Sequence, residues 1–174
     1  MGGASTEIHT RQLLLRSPRL EDEGAYLALF RRREVEAWLR PAPLAAFVEA
    51  ELRQMLHDDI GHWERNGFGP WALFEKAGGG FAGRAGLRWT AVEGEAAVEL
   101  AWTVEPARQG RGLATEAARA GLELGRAQGI ERIVALVLAE NVASRRVAEK
   151  IGMELDGEAE HAGLPHLLYR CSLA

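Results

Sequence analysis

Nine residues, Gln109-Gly110-Arg111-Gly112-Leu113-Ala114-Thr115-Glu116-Ala117, hold the clearest chemistry in this 174-residue chain. Two glycines separated by one residue stand between an apolar run, 98–104, and a helix-forming run. That order reads as strand, glycine turn, helix start. The first N–H groups of a helix have no partner within it and point outward together, and the helix dipole adds partial positive charge there. Glycine lets a bulky anion come close to the backbone. A diphosphate fits such a cradle, and Arg108 and Arg111 bring cations to the same turn. Two commoner phosphate motifs are absent. Position 115 is Thr where a dinucleotide fingerprint needs its third glycine, and no Gly-Lys-Ser/Thr triplet occurs. An ordinary strand-to-helix bend would use the same glycines.

Other residues could carry chemistry with that turn. Glu99 lies in the strand that leads into it. An acid inside an apolar strand costs free energy unless it is paired, so Glu99 is either functional or a solvated strand residue. Asn141 and Ser144 open a late helix, where either type caps free N–H groups. His161 and His166 flank Gly163-Leu164-Pro165 and read as surface-loop histidines. Tyr169 reads as a core residue of the last strand. The single cysteine, Cys171, excludes an intrachain disulfide and a thiol cluster for zinc. It has no partner histidine nearby in sequence for covalent catalysis.

The elements that would position these groups follow from periodicity. Residues 1–10 read as a tail and 11–174 as one domain. Residues 12–16 carry three leucines and read as a strand, ended by Ser17-Pro18. A helix is expected over 21–33, its last residues being the solvated basic run Arg31-Arg32-Arg33. A longer helix is expected over 44–66, with Val48, Leu52, Leu56, Ile60 and Trp63 as its apolar stripe and Asn66-Gly67 as its stop. Strands over 71–76, 81–90 and 96–104, joined by glycine turns, form an antiparallel meander. A helix over 115–128, a strand over 130–138, a helix from 140 to 150 and strands over 153–157 and 167–173 complete the chain. Five tryptophans mostly fill the core.

Three patterns converge on one family. Gln109-x-x-Gly112-x-Ala114 resembles the Gln/Arg-x-x-Gly-x-Gly/Ala signature of the GNAT N-acetyltransferases. Gly110-Arg111-Gly112-Leu113-Ala114-Thr115-Glu116-Ala117 resembles the branch that acetylates ribosomal-protein N-termini, the RimJ/RimL-like group. Asn141-x-x-Ser144 followed by Glu149-Lys150-x-Gly152-Met153 resembles the corresponding late run of that group. The resemblance spans about residues 11–173. It implies an α/β (α+β) fold: a mixed, mostly antiparallel seven-stranded sheet flanked by helices and splayed between the fourth and fifth strands. It implies acetyl-coenzyme A (acetyl-CoA) as cofactor, with its pyrophosphate on Gln109, Gly110, Arg111, Gly112, Leu113, Ala114 and Thr115. Backbone groups of Trp102, Thr103 and Val104 would hold the pantetheine arm, with Asn141 and Ser144 beside it. Glu99 would be the general base, and Ser144 or a water would protonate the leaving thiolate if an acid is needed. Many members carry a tyrosine seven residues after this asparagine; here that position is Ala148.

Composition limits the alternatives. The net charge of −4 argues against a nucleic-acid partner, which needs a basic face, and suits a cationic amine. No apolar run reaches the roughly 20 residues of a membrane helix, and 1–10 has no hydrophobic signal segment, so a cytoplasmic protein without membrane contact is expected. The reading is an acetyl-CoA-dependent transferase acting on a primary amine, either a protein N-terminal α-amine or a small molecule, as a monomer or homodimer. Its rival is a non-catalytic coenzyme A-binding sensor or scaffold of the same fold.

Overall fold

The computed structural model describes residues 7–173. One open sheet of eight strands runs in the order β1-β2-β3-β4-β5-β6-β8-β7. Its strands are β1 (Ile8–His9), β2 (Leu13–Arg16), β3 (Pro70–Glu75), β4 (Phe81–Val92), β5 (Glu95–Val104), β6 (Arg132–Val137), β7 (Glu154–His161) and β8 (Leu164–Ser172). Five α-helices flank it: α1 (Glu23–Phe30), α2 (Arg33–Leu39), α3 (Glu49–Asn66), α4 (Leu113–Ala127) and α5 (Val142–Lys150).

The sheet has one strand more than the seven expected, because Ile8 and His9, read as tail, pair with Leu15 and Leu14. The basic run at 31–33 does not end a single helix. Arg32 is extended (φ −68°, ψ 127°), and a separate helix, α2, begins at Arg33. The long helix α3 starts at Glu49 rather than 44. The Glu51 carboxylate accepts the Val48 N–H at 2.9 Å, and Gly67 closes the far end by donating its N–H to the Trp63 carbonyl at 3.0 Å.

Two hairpin registers decide which side chains meet. Glu93 (φ 52°) and Gly94 (φ 85°) form a two-residue turn that sets Arg88 opposite Glu99. Ala162 (φ 50°) and Gly163 (φ 77°) do the same for β7 and β8, setting Ala159 opposite His166. Every neighbouring pair of strands is antiparallel except β5 and β6, which share a single bridging pair, Glu99 with Val134. Along the rest of their length these strands form no ladder. That is the expected splay between the strands read from sequence as fourth and fifth.

Side chains alternate between the two sheet faces. On one face α4 covers Leu87, Val98, Leu100 and Ile133. It lies close because its inner face is small: a Cβ on Gly121 would stand 2.6 Å from Leu100 Cδ1. The opposite face is covered over β3 and the start of β4 by α1 and α3, through Tyr26, Phe30, Leu52, Leu56 and Ala72. Further along that face a smaller cluster joins both halves of the sheet: Val92, Val134, Ala159 and Leu168, with Ala97 and Leu136 against them.

Candidate active site

The turn between β5 and α4 leaves the chain's most evident anion site. Gly110 (φ 78°) and Gly112 (φ 79°) both take the left-handed conformation, and a Cβ on either would meet open space. Six consecutive N–H groups, residues 110–115, donate to no acceptor among the described residues. Free donors at a helix start, with room above them, suit a diphosphate. Gln109 contributes differently, since its Nε2 folds back to donate to the Val104 carbonyl at 3.0 Å. That bond ties the turn to the end of β5.

Arg108 and Arg111 stand at the turn, but neither is free there. Both engage the buried Glu75 carboxylate of β3, Arg111 at 2.6 Å. Two guanidinium groups on one carboxylate still leave the turn net positive. Glu116, in the first turn of α4, accepts the backbone N–H of Gln12 at 2.6 Å and its side-chain amide at 2.9 Å. These contacts anchor the helix start to the N-terminal strands. A groove of about 910 Å³ runs past Gly112 and Thr115, with Arg11, Arg119 and Lys150 on its walls.

Trp102, Thr103 and Val104 lie on the part of β5 that has no β6 ladder. Trp102 and Thr103 are half-buried and Val104 is buried. Asn141 takes the cap role read from its type: its Oδ1 accepts the Ser144 N–H at 3.1 Å at the start of α5. The Ser144 hydroxyl makes no hydrogen bond among the described residues and is half-buried. Ala148 is fully buried on the inner face of α5. Tyr169, also buried, brings its hydroxyl to 3.5 Å from Arg145 Nε of that helix.

Glu99 points inward, onto the face opposite α4, and is 4% exposed. Arg88, its cross-strand neighbour, donates Nε to Oε2 at 2.9 Å and holds Nη2 in ion-pair contact with the same oxygen at 2.8 Å. Oε1 accepts no hydrogen bond among the described residues. His161 and His166, read as loop residues, lie instead in β7 and β8 with their rings edge to face, 5.3 Å apart. The sequence signal for this was the two-residue turn Ala162-Gly163. Pro165 masked it by reading as a breaker, yet it sits near the start of β8 beyond the last residue paired with β6. Burial pushes the His161 imidazole below its ordinary value; Glu99 opposes that shift, and Arg88 and His166 reinforce it.

Among the described residues no group of three or more His, Cys, Asp or Glu could hold a metal ion. No helix there is long and apolar enough to cross a membrane.

Known proteins share this arrangement. The Acetyltransferase (GNAT) domain family matches residues 12–154. The Bacillus subtilis (strain 168) N-acetyltransferase YnaD, itself uncharacterized, is 43% identical over 65 residues, 37% of this chain and 38% of that protein. The chain therefore spans well under half the length of that curated relative. A solved GnaT-family acetyltransferase from Bordetella pertussis superposes with a TM-score of 0.82 at 28% identity, over 96% of this chain and 99% of its own. RimL, a ribosomal L7/L12 α-N-protein acetyltransferase solved with coenzyme A, shares the fold at 22% identity with a TM-score of 0.72, over 94% of this chain and 95% of its own. With the splayed strands, the glycine cradle and a family match over most of its length, the chain belongs to the GNAT acetyltransferase family.

Proposed function

We propose that this protein transfers the acetyl group of acetyl-CoA to a primary amine, by direct attack with both reactants bound. The observation that carries the reading is the row of free N–H groups at residues 110–115, set at the mouth of the β5–β6 splay. That row suits the cofactor pyrophosphate, and the groove beside it, walled by Arg11, Arg119 and Lys150, suits the nucleotide end. Gln109 fixes the turn, and Trp102, Thr103 and Val104 offer backbone to the pantetheine arm. Asn141 and Ser144 border that arm from α5. Bound acetyl-CoA supplies an activated acyl carbon and a thiol leaving group. The residues of the chain hold it, orient the amine against it and manage the protons. Glu99 is the acid–base candidate from the sheet and Ser144 the one from α5.

The Asn141-x-x-Ser144 and Glu149-Lys150-x-Gly152 runs favour the RimJ/RimL-like branch, and hence an α-amine of a protein as acceptor. An acetylation screen over small amines and peptides with free N-termini, read by thiol release, tests this. Turnover of at least one amine is expected, with peptides preferred. Tight acetyl-CoA binding without turnover of any amine would leave the non-catalytic coenzyme A sensor instead.

Ser144→Ala separates two roles of the same residue. If the free hydroxyl protonates the thiolate, kcat falls about tenfold while cofactor affinity changes little. Because Asn141 caps the Ser144 backbone N–H, which the variant keeps, stability should change little, and intact kinetics would remove the hydroxyl from the proton transfer.

A further inference from the structure

The face of the sheet opposite α4 carries a group of titratable side chains that the cradle does not use. Arg88 pairs with Glu99, and Glu99 bridges to Val134, so these three share a face. Leu136 pairs with Leu168, and two residues along β8 from Leu168 stands His166. Ala159 pairs with His166, and two residues along β7 from Ala159 stands His161. The apolar cluster of Val134, Ala159 and Leu168 confirms that these positions face one way. His161 therefore shares a face with Arg88 of β4, Glu99 of β5 and His166 of β8; its ring lies 5.3 Å from that of His166, and the charges of all three act on it.

Three groups on this face could take a proton, and their surroundings differ. Glu99 is buried as the counter-ion of Arg88, which donates one hydrogen bond to Oε2 and pairs with the same oxygen through Nη2. His166 donates Nδ1–H to the Leu164 carbonyl at 3.0 Å, which leaves its Nε2 able to accept a proton. His161 is half-buried, and neither of its ring nitrogens has a hydrogen-bond partner among the described residues.

We propose that His161 takes the proton released by the acceptor amine, and that Glu99 serves it as a fixed neighbouring carboxylate rather than as the base. This rests on the acetyl-transfer reading above. The neutral amine nitrogen attacks the acetyl carbonyl carbon; the C–N bond forms and the C–S bond breaks. The nitrogen grows acidic as the C–N bond forms, and one N–H proton passes to a free nitrogen of His161. Sulfur leaves with the bonding pair and takes a proton from the Ser144 hydroxyl, which solvent restores, or from solvent directly; His161 then discharges its proton to solvent. The products are one amide and one thiol. The imidazole must be neutral to do this, and burial favours the neutral form.

Two measurements test the assignment. The first needs neither cofactor nor turnover: an NMR titration of the histidine rings in the free protein. His161 is expected to titrate below 6.5, and lower still in Glu99→Gln, because the carboxylate that opposes the downward shift is gone. An ordinary His161 titration, unmoved by Glu99→Gln, overturns the cluster. The second is the pH profile of kcat/KM with an amine from the screen. Below the His161 pKa the wild-type slope is expected to be about two, one unit from the amine and one from the base. His161→Asn is expected to remove one unit and to lower kcat/KM about 100-fold near neutral pH. Glu99→Gln is expected only to move that limb to lower pH. His161→Gln repeats the test should His161→Asn fold poorly. A limb lost in Glu99→Gln but kept in His161→Asn makes Glu99 the base, and one kept in His161→Asn but lost in His166→Gln makes His166 the base; either overturns the proposal, with acetyl transfer itself intact. Wild-type enzyme that acetylates no amine brings down both readings together.

Discussion

Gly112→Val is expected to weaken acetyl-CoA binding by about 10- to 100-fold, equivalent to losing one or two hydrogen bonds to a charged group. The argument is local. Gly112 caps α4 at φ 79°, a conformation that costs an L-residue about 1–2 kcal/mol and a β-branched one more. A side chain there meets no protein atom within 4 Å, so overpacking is not the cause. The chain either keeps the left-handed turn with two methyl groups in the space an anion would occupy, or abandons it and re-aims the N–H row at 110–115. Both outcomes strike the same site. Melting temperature should fall only modestly, since the helix stays anchored by Glu116 to Gln12 and by its packing on Leu100. Calorimetry is the measurement. Unchanged affinity in a folded variant would remove the cradle from cofactor binding.

That site was the most legible part of the sequence because its physics is local. Two glycines, a helix start and an apolar strand lie within about twenty consecutive residues, and turn geometry follows from them. Glu99 was half legible: its type in an apolar strand announced a cost, while its partner required the register. The signal was present, because a two-residue turn at Glu93-Gly94 puts residue 88 opposite 99. The pairing of Arg108 and Arg111 with Glu75 was not legible, because that carboxylate lies on β3, more than thirty residues earlier in the chain. The histidine pair was hidden for a different reason. Pro165 reads as a breaker, and only the finished sheet shows that its missing N–H faces an edge with no partner strand. The break between α1 and α2 had no local breaker residue, and Arg32, which turns the chain there, is held by Glu105 at 2.8 Å from beyond the meander.

Asp59→Ala should be the most destabilising single change outside the apolar core, costing about 3–5 kcal/mol. Asp59, on α3, is 4% exposed and receives Nε and Nη2 of Arg84 at 2.5 and 2.7 Å, and the Tyr26 hydroxyl at 3.1 Å. Three elements, α1, α3 and β4, thus meet on one carboxylate. Burial alone would push the Arg84 guanidinium down, but the adjacent Asp59 charge outweighs it and holds Arg84 above its ordinary value. Burial, with Asp59 beside it, likewise pushes the Tyr26 phenol well above its ordinary range. Removing the carboxylate strands a buried cation with no acceptor, which is why the loss exceeds that of an exposed ion pair, typically about 0.2–1 kcal/mol. A loss of that size is a large share of the 5–15 kcal/mol that holds a domain folded, and corresponds to a melting temperature about 6–20 °C lower. The double variant Asp59→Leu with Arg84→Met removes both charges and should recover most of the loss, since an apolar pair carries no desolvation cost. Thermal denaturation of the two single variants and the double one measures this. A double variant no more stable than Asp59→Ala would mean that the cost lies in packing between α3 and β4, and the charge argument would be withdrawn.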